Sequence, residues 1–433
     1  MVKPFFLLAM LLPLLVVRTD AAGQDTVTVM VYNLLYYGQN TSFCNQQNNN
    51  VDFKDGYLRT IVARTNPDIL AVNEMGRNPD NATRLLNNVL NQGGDERFAH
   101  AAYTNTANSS IVNMLFYDQE KFGLYSEAVI ANEVRDINLY TLYYRSPDLE
   151  TGRQDTVFLS CIVAHFKAGS STSDQQRRLL EAQIAMGYID QHGIRGNILF
   201  MGDFNMNSSF EQAYGLITYH SNEEIRFYDP IDKPGVWYNN PDMAPYHTQS
   251  PRTGTHSCFV TGGLDDRYDQ ILATASIMQG TRGLKYLGDS YKTLGQDGNR
   301  FNQSLINPPN HSEPEAVIYA LYNMSDHLPV LLDLVVYPDF TSHISMDFPM
   351  PDEELIMVNP ADGVLEFTLN SQPGHYDFSL FNIQAKEVLA RRELLNEPGQ
   401  AFSYDVSHLP PGIYVLSISS GNRFAVSRKL VIR

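Results

Sequence analysis

Apolar positions along the chain gather into short runs, and each run meets a polar residue at one end. TVTVMVY leads to Asn33, DILAVN to Glu74, FLSCIVA to His165, and NILFMG to Asp203 and Asn205. The order reverses in QILATASI, which follows Asp269, and in LPVLLDLVV, which follows Asp326 and His327. Runs of about four to eight branched or apolar residues bounded by turn residues predict strands. In an all-parallel sheet these polar residues would fall on opposite edges. If the later strands run antiparallel to the earlier ones, all of them meet at one rim, which favours a mixed, layered α/β fold over a doubly wound one.

Helical patterns alternate with the strands. Tyr57, Leu58, Ile61 and Val62 form an apolar face ahead of a turn at Asn66, Pro67 and Asp68. Ser173 to His192 predicts the clearest helix: Ser173 and Gln176 read as a capping box, Leu179, Leu180, Ile184 and Tyr188 as its apolar face, and Gly193 as its stop. A second Ser-x-x-Gln pattern at Ser209 and Gln212 predicts a helix after the Asp203 loop. Ile111 to Tyr117 and Leu139 to Tyr144 read as strands. Residues 227–263 are rich in turn formers and hold the single tryptophan, Trp237; long loops of this kind often cover active sites.

After Val336 the texture changes. Pro338, Pro349 and Pro351 mark a linker, followed by strand-like runs at Val364–Leu369, His375–Phe381, Phe402–Val406, Ile413–Ile418 and Ala425–Ile432, with no helix pattern. A small β-sandwich follows from that spacing. At the other end, Lys3, the apolar stretch Phe5 to Val17 and the small residues before Ala22 read as an export signal, too short to span a membrane. The expected organisation is a signal peptide over 1–22, a catalytic domain over 24–337, a linker over 338–352 and a β-sandwich over 353–433. No integral membrane anchor is expected.

Composition sharpens this only in part. The 433 residues, 43% hydrophobic and 18% charged, suit a globular protein of two or three domains. A net charge of −17 disfavours sequence-blind binding of polyanions through bulk electrostatics but leaves a local phosphate site open. Three cysteines give no disulfide framework. Cys161, inside an apolar run, reads as a buried thiol, whereas Cys44 and Cys258 fall in polar loops where pairing stays open.

Carboxylates, amides and imidazoles at one sheet rim suit a hard divalent cation and a phosphoester. The ordered motifs, an Asn after the first strand, the acid in VNEM, the His in AHF, GDFN, the Asp in RYDQIL and the closing SDH, resemble the endonuclease/exonuclease/phosphatase superfamily over residues 26 to 337. The resemblance implies a deoxyribonuclease I-like, four-layered α/β sandwich with two mixed β-sheets. It implies a magnesium cradle of Asn33, Glu74 and Asp326, with Mn2+ or Ca2+ as alternatives. His165, Asp203, Asn205, Asp269 and His327 would carry catalysis, with Asp269 orienting His327, and Arg135 would contact substrate. Tyr140, Tyr143 and Tyr144 stand near the place where sugar-damage endonucleases carry a tyrosine. The pieces NPADGVLEF, FSLFNIQAKEVL, DVSHLPPGIYVLSI and RKLVIR resemble a type IX secretion sorting domain, implying that machinery as partner and a secreted or cell-surface location. The expectation is a monomeric, exported phosphodiesterase cutting DNA or RNA. The alternatives are a lipid or small-molecule phosphoesterase, with Tyr36-Tyr37 or Val236-Trp237-Tyr238 as a membrane wedge, and a non-catalytic surface-binding module.

Overall fold

The computed structural model describes residues 25–131, 133–146, 156–337, 355–357, 359–371, 373–382, 386–419 and 425–433. The expected signal peptide and linker lie outside the described residues. The chain divides into two compact units between residues 341 and 342.

Two sheets form the first unit. One contains β1 (Asp25–Tyr37), β2 (Ile69–Gly76), β3 (Phe98–His100), β4 (Ile111–Asp118), β11 (Leu284–Tyr286), β12 (Lys292–Thr293) and β13 (Val330–Val336). The other contains β5 (Phe122–Ala131), β6 (Ile137–Tyr144), β7 (Phe158–His165), β8 (Ile198–Asp203), β9 (Phe227–Tyr228) and β10 (Asp269–Thr274). Strand order is 11-13-1-2-4-3 in the first, with β12 also on β13, and 5-6-7-8-10-9 in the second. β1 and β2 are parallel, as are β7 and β8, whereas β10 runs antiparallel to β8 and β13 antiparallel to β1. The late strands thus reverse direction, and every polar strand end reaches the same rim.

Alternation of side chains sorts the core into layers. Val27, Val29 and Val31 of β1 face Cys161, Val163, Leu199, Met201 and Ile271, which glues the sheets face to face. The opposite face of β1, with Met30 and Tyr32, packs on α1 (Val51–Thr65) and α6 (Glu315–Met324) through Leu58, Ile61, Ile318 and Leu321. Ile162, Phe200 and Leu272 of the second sheet pack on α3 (Thr172–Gln191) and α4 (Gln212–Thr218). Helix, sheet, sheet, helix is the four-layered arrangement. The short helices α2 (Asp80–Leu85) and α5 (Ala275–Gln279) edge it.

Two helix starts differ from the sequence reading. The capping box of α3 is Ser171 with Asp174, two residues ahead of the expected pair. Its buried face carries Arg178, Glu181, Ala182, Ala185, Met186 and Ile189, while Leu180 is exposed; Arg178 and Glu181 meet the polar loop after β7, and the apolar remainder packs on the second sheet. α4 starts at Glu211 without a side-chain cap, and the Ser209 hydroxyl instead accepts from Gly235 N.

Among the described residues the second unit holds the antiparallel strands β14 (Leu355–Met357), β15 (Val364–Leu369), β16 (Gly374–Asn382), β17 (Glu387–Leu395), β18 (Gln400–Asp405), β19 (Gly412–Ser419) and β20 (Ala425–Ile432). They form sheets ordered 14-15-18 and 17-16-19-20. Phe367 and Leu369 of one meet Phe378, Leu380, Leu416 and Ile418 of the other in a shared core. β17 escaped the sequence reading because the charged centre of EVLARRELL breaks up its apolar residues, and only Leu389 and Leu395 are buried. Among the described residues no helix is long and apolar enough to cross a membrane.

Candidate active site

The rim begins where strand geometry breaks. β1 and β2 pair in register up to Asn33 and Asn73, then slip, so that Tyr37 pairs with Met75. Glu74 lies inside this bulge with φ +57°, and Leu35 and Tyr36 are also left-handed. Bulges re-aim side chains beside active sites, at a backbone cost that the surrounding structure must hold. Here the bulge turns Glu74 toward Asn33, whose Nδ2 donates to Glu74 Oε1 at 3.2 Å and to Asp203 Oδ2 at 3.0 Å. The Asn33 Oδ1, expected as a metal ligand, accepts from Leu35 N at 2.9 Å. Asn33 therefore bridges the two carboxylates.

β8 delivers Asp203, the register partner of both His165 on β7 and Asp269 on β10. Gly202, just before it in the strand, has φ +143° and Ala164 O 1.8 Å from where a Cβ would stand, so only glycine lets β8 lie this close to β7. Asp203 Oδ1 accepts from Asn205 N at 3.1 Å, and Oδ2 lies 3.4 Å from His165 Nε2. Asn205 itself is left-handed, and its Nδ2 donates to Phe166 O at 3.3 Å. Burial, then the Asp269 and Glu74 carboxylates, raise the Asp203 carboxyl above its ordinary range against the opposing pull of His327.

Asp326 and His327 lie in the turn between α6 and β13, which frees them from strand alternation. His327 N donates to Ser325 Oγ at 3.2 Å. His327 Nδ1 sits 2.6 Å from Asp269 Oδ2, and its Nε2 lies 3.8 Å from Asp203 Oδ2. Burial disfavours the imidazolium, but Asp269 and Asp203 outweigh it and hold the His327 pKa well above its usual value. His165 behaves oppositely: burial, then the positive charges of Arg135 and His327, hold it well below. Asp326 Oδ2 accepts from Val260 N at 2.9 Å, while its Oδ1 and the Asp269 Oδ1 are buried without a partner.

Several side chains beneath the rim had little local signal. Asn73 Nδ2 donates to Asn113 Oδ1 and Ala164 O, its Oδ1 accepts from Asp203 N, and Asn113 Nδ2 donates to Asp136 O. An asparagine inside the apolar runs DILAVN and IVNMLF was the available clue. Lys54, 2% exposed on α1, donates to Leu34 O and Leu35 O at 2.7 and 2.6 Å and so fastens the left-handed exit of β1. Burial pushes its amine down to about 7 against the attraction of Asp326 and Glu74. Cys44 and Cys258 form a disulfide that ties the loop after β1 to the loop bearing Val260. Cys161 is a free, buried thiol.

Other expected contacts are placed elsewhere. Arg135 turns to the main chain, its Nη1 donating to His165 O at 2.9 Å and Phe166 O at 3.3 Å. Arg178 is fully buried, pairing with Glu211 and donating to Lys167 O and Gly169 O, so it joins two loops and reaches no solvent. Tyr140 pairs with Cys161, four residues inside the sheet from His165, and Tyr143 and Tyr144 lie farther along β6. Of the suggested membrane wedges, Tyr37 and Trp237 are 0% exposed, whereas Val236 and Tyr238 are about half exposed; the indole packs on Tyr214 and donates to Lys233 O.

Asp203, Asp269 and His327 each present a ligand atom within 4.8 Å of one another, a group that could hold a metal ion. Two stacked sheets with helices outside and acids, amides and imidazoles on one rim are the architecture of deoxyribonuclease I-like proteins. The chain belongs to the endonuclease/exonuclease/phosphatase family, whose sequence profile matches residues 32–327 and whose enzymes hydrolyse phosphoester bonds. Residues 358–433 match the secretion system C-terminal sorting domain, which marks the chain for export to the surface or medium. No curated protein matches the chain. Among solved structures it is similar to an endonuclease/exonuclease/phosphatase from Beutenbergia cavernae, at 15% identity over 94% of this chain and 99% of that one, with a TM-score of 0.42. It is also similar to D. rerio TDP2 complexed with a single-strand DNA product, at 11% identity, 72% and 99% coverage and a TM-score of 0.46. The human Nocturnin catalytic domain with bound sulfate follows at 15% identity, 72% and 98% coverage and a TM-score of 0.45.

Proposed function

We propose that the protein is an exported, magnesium-dependent phosphodiesterase that hydrolyses extracellular DNA or RNA. The supporting observation is the linking of Asn33, Glu74 and Asp203, of His165 and Asp203, and of His327 and Asp269 by polar contacts at one rim, with Asp326 the neighbour of His327 in the same turn. Buried carboxylate oxygens of Asp326 and Asp269 without protein partners fit a hard cation, because such oxygens are costly to desolvate unless something pairs with them. Glu74 and Asp326 would hold magnesium, with Asn33 as the third member of the cradle once its amide oxygen is freed from Leu35 N. When bound, the ion neutralises charge developing on the phosphoryl oxygens.

The chain's own residues account for the remaining steps. Asp203 takes the proton of the attacking water, held in place by Asn33 Nδ2 and Asn205 N. Asn205 and His165 steady the water and the phosphoryl group. His327, fixed by Asp269, donates from Nε2 to a non-bridging oxygen, a bond that strengthens as charge gathers in the transition state. Arg135, from the main chain it holds, keeps the His165 loop in place and lends positive charge near the phosphate. The C-terminal unit, read as residues 353–433, serves as the address for type IX export.

The test is a substrate panel of plasmid DNA, RNA, sphingomyelin and inositol phosphates with magnesium. Cleavage of nucleic acid, abolished by a chelator and restored by the ion, is the expected result. Turnover of sphingomyelin or inositol phosphates alone would replace the nuclease reading with a lipid or small-molecule phosphoesterase.

A further inference from the structure

Gln249 contacts a catalytic imidazole of the rim through its side-chain amide, and the proposed chemistry leaves it unused. Its Nε2 lies 2.7 Å from His327 Nε2, nearer than the Asp203 carboxylate at 3.8 Å. Asp269 already occupies Nδ1, so Nε2 is the nitrogen a phosphoryl oxygen must reach, and the Gln249 amide covers it. We propose that Gln249 is a phosphate-binding residue: its amide holds His327 Nε2 in the free enzyme, yields that position to a phosphoryl oxygen, and then donates to the same phosphoryl group. The inference rests on the phosphodiesterase reading and adds to it a residue that grips the scissile group.

The geometry separates a fixed main chain from a movable side chain. Gln249 N donates to Asp266 O at 3.2 Å, and its own carbonyl accepts from Asp265 N and Asp266 N at 3.0 and 3.1 Å. On the other side Leu328 N donates to Thr248 O at 2.8 Å, so the strand-like segment is bonded on both flanks. His327, Asp203 and Asp269 are buried, yet Gln249 is half-buried, and among the described residues its amide has no other hydrogen-bond partner. Exchange therefore breaks a single bond and moves only a side chain.

The chemistry explains why an amide suits this place. A glutamine can donate to a bare imidazole nitrogen through Nε2, accept from a protonated one through Oε1, and donate to a phosphoryl oxygen. A carboxylate lacks the last ability and would repel the phosphate. Being neutral, the amide also adds no charge beside Asp265 and Asp266, whose carboxyls burial already holds above their ordinary range.

The experiment measures magnesium-dependent hydrolysis of bis(4-nitrophenyl) phosphate and binding of inorganic phosphate by calorimetry, for wild type, Gln249→Ala and Gln249→Glu. Both variants should raise KM and weaken phosphate binding by about tenfold, the worth of one hydrogen bond to a charged group. The kcat of Gln249→Ala should stay within about threefold. A fall in kcat at unchanged KM and unchanged phosphate affinity would reduce Gln249 to a prop for the ring and overturn the inference, as would wild-type behaviour of Gln249→Glu. Absence of wild-type turnover would strike the phosphodiesterase reading itself, while phosphate affinity would still judge Gln249. Equal thermal melts would show that the variants fold.

Discussion

At the scale of single residues, the rim works by burying more carboxylate than its own cations neutralise. Glu181 shows the same tension in a place removed from the proposed chemistry. It is 1% exposed, accepts from Lys167 N at 2.9 Å, and leaves Oε1 without a partner. Burial pushes its carboxyl up to about 7, against the pull of the Lys167 amide, Arg135 and Arg178. The unfolded chain gives up this proton near 4.5, so between about 4.5 and 7 the folded state binds more protons. Stability therefore falls as pH rises through that window, and the cost is complete above it. Glu181→Gln, which keeps an acceptor for Lys167 N, should be more stable than wild type by about 3 kcal/mol at pH 8 and equal to it at pH 4 in denaturant titrations. An equal difference at both pH values would contradict the assignment. Residues such as Glu181, Lys54 and Gln249 were invisible in the sequence because their partners are carbonyls, amides or rings brought close by the fold. Asp203 and His327 were legible because each abuts an apolar run that locates it at a strand end.

At the scale of elements, strand direction carried most of the information. Polar residues after the early strands and before the late ones required a reversal, and β10 and β13 supply it. Helix α3 was legible in extent but not in its cap or whole buried face, since its first turns bury Arg178 and Glu181 against the polar loop after β7 while only the later turns pack on the sheet. β5 was missed because FGLYSEAVIA mixes buried and exposed positions without regular alternation. At Gly202, β8 passes Ala164 of β7 too closely for a Cβ. Any side chain there meets a carbonyl in a left-handed backbone, so Gly202→Ala should cost roughly 3 kcal/mol or more in stability. A variant with a wild-type denaturation midpoint would show that the β7 and β8 ends are not locked together, and that the register placing His165 beside Asp203 is loose.

At the scale of the whole molecule, two units with different jobs share one chain. The first gathers the rim, and the second matches a sorting domain. The Cys44–Cys258 disulfide closes a span of 214 residues beside the site, and disulfides persist in oxidising compartments, in keeping with export. Its pairing could not be read from the sequence, since nothing local shows that two loops so far apart converge. With a net charge of −17 the surface at large offers a phosphate little attraction, so on the proposed reading binding would rest on a few aimed groups at the rim. Everything in the account turns on whether the rim hydrolyses a phosphodiester. The most direct measurement is the rate of bis(4-nitrophenyl) phosphate hydrolysis by the purified protein with magnesium, beside Asp203→Asn and His327→Ala. The account predicts turnover by wild type and a loss of about a hundredfold or more in each variant with the fold retained; turnover that survives both substitutions, or none in wild type, would contradict it.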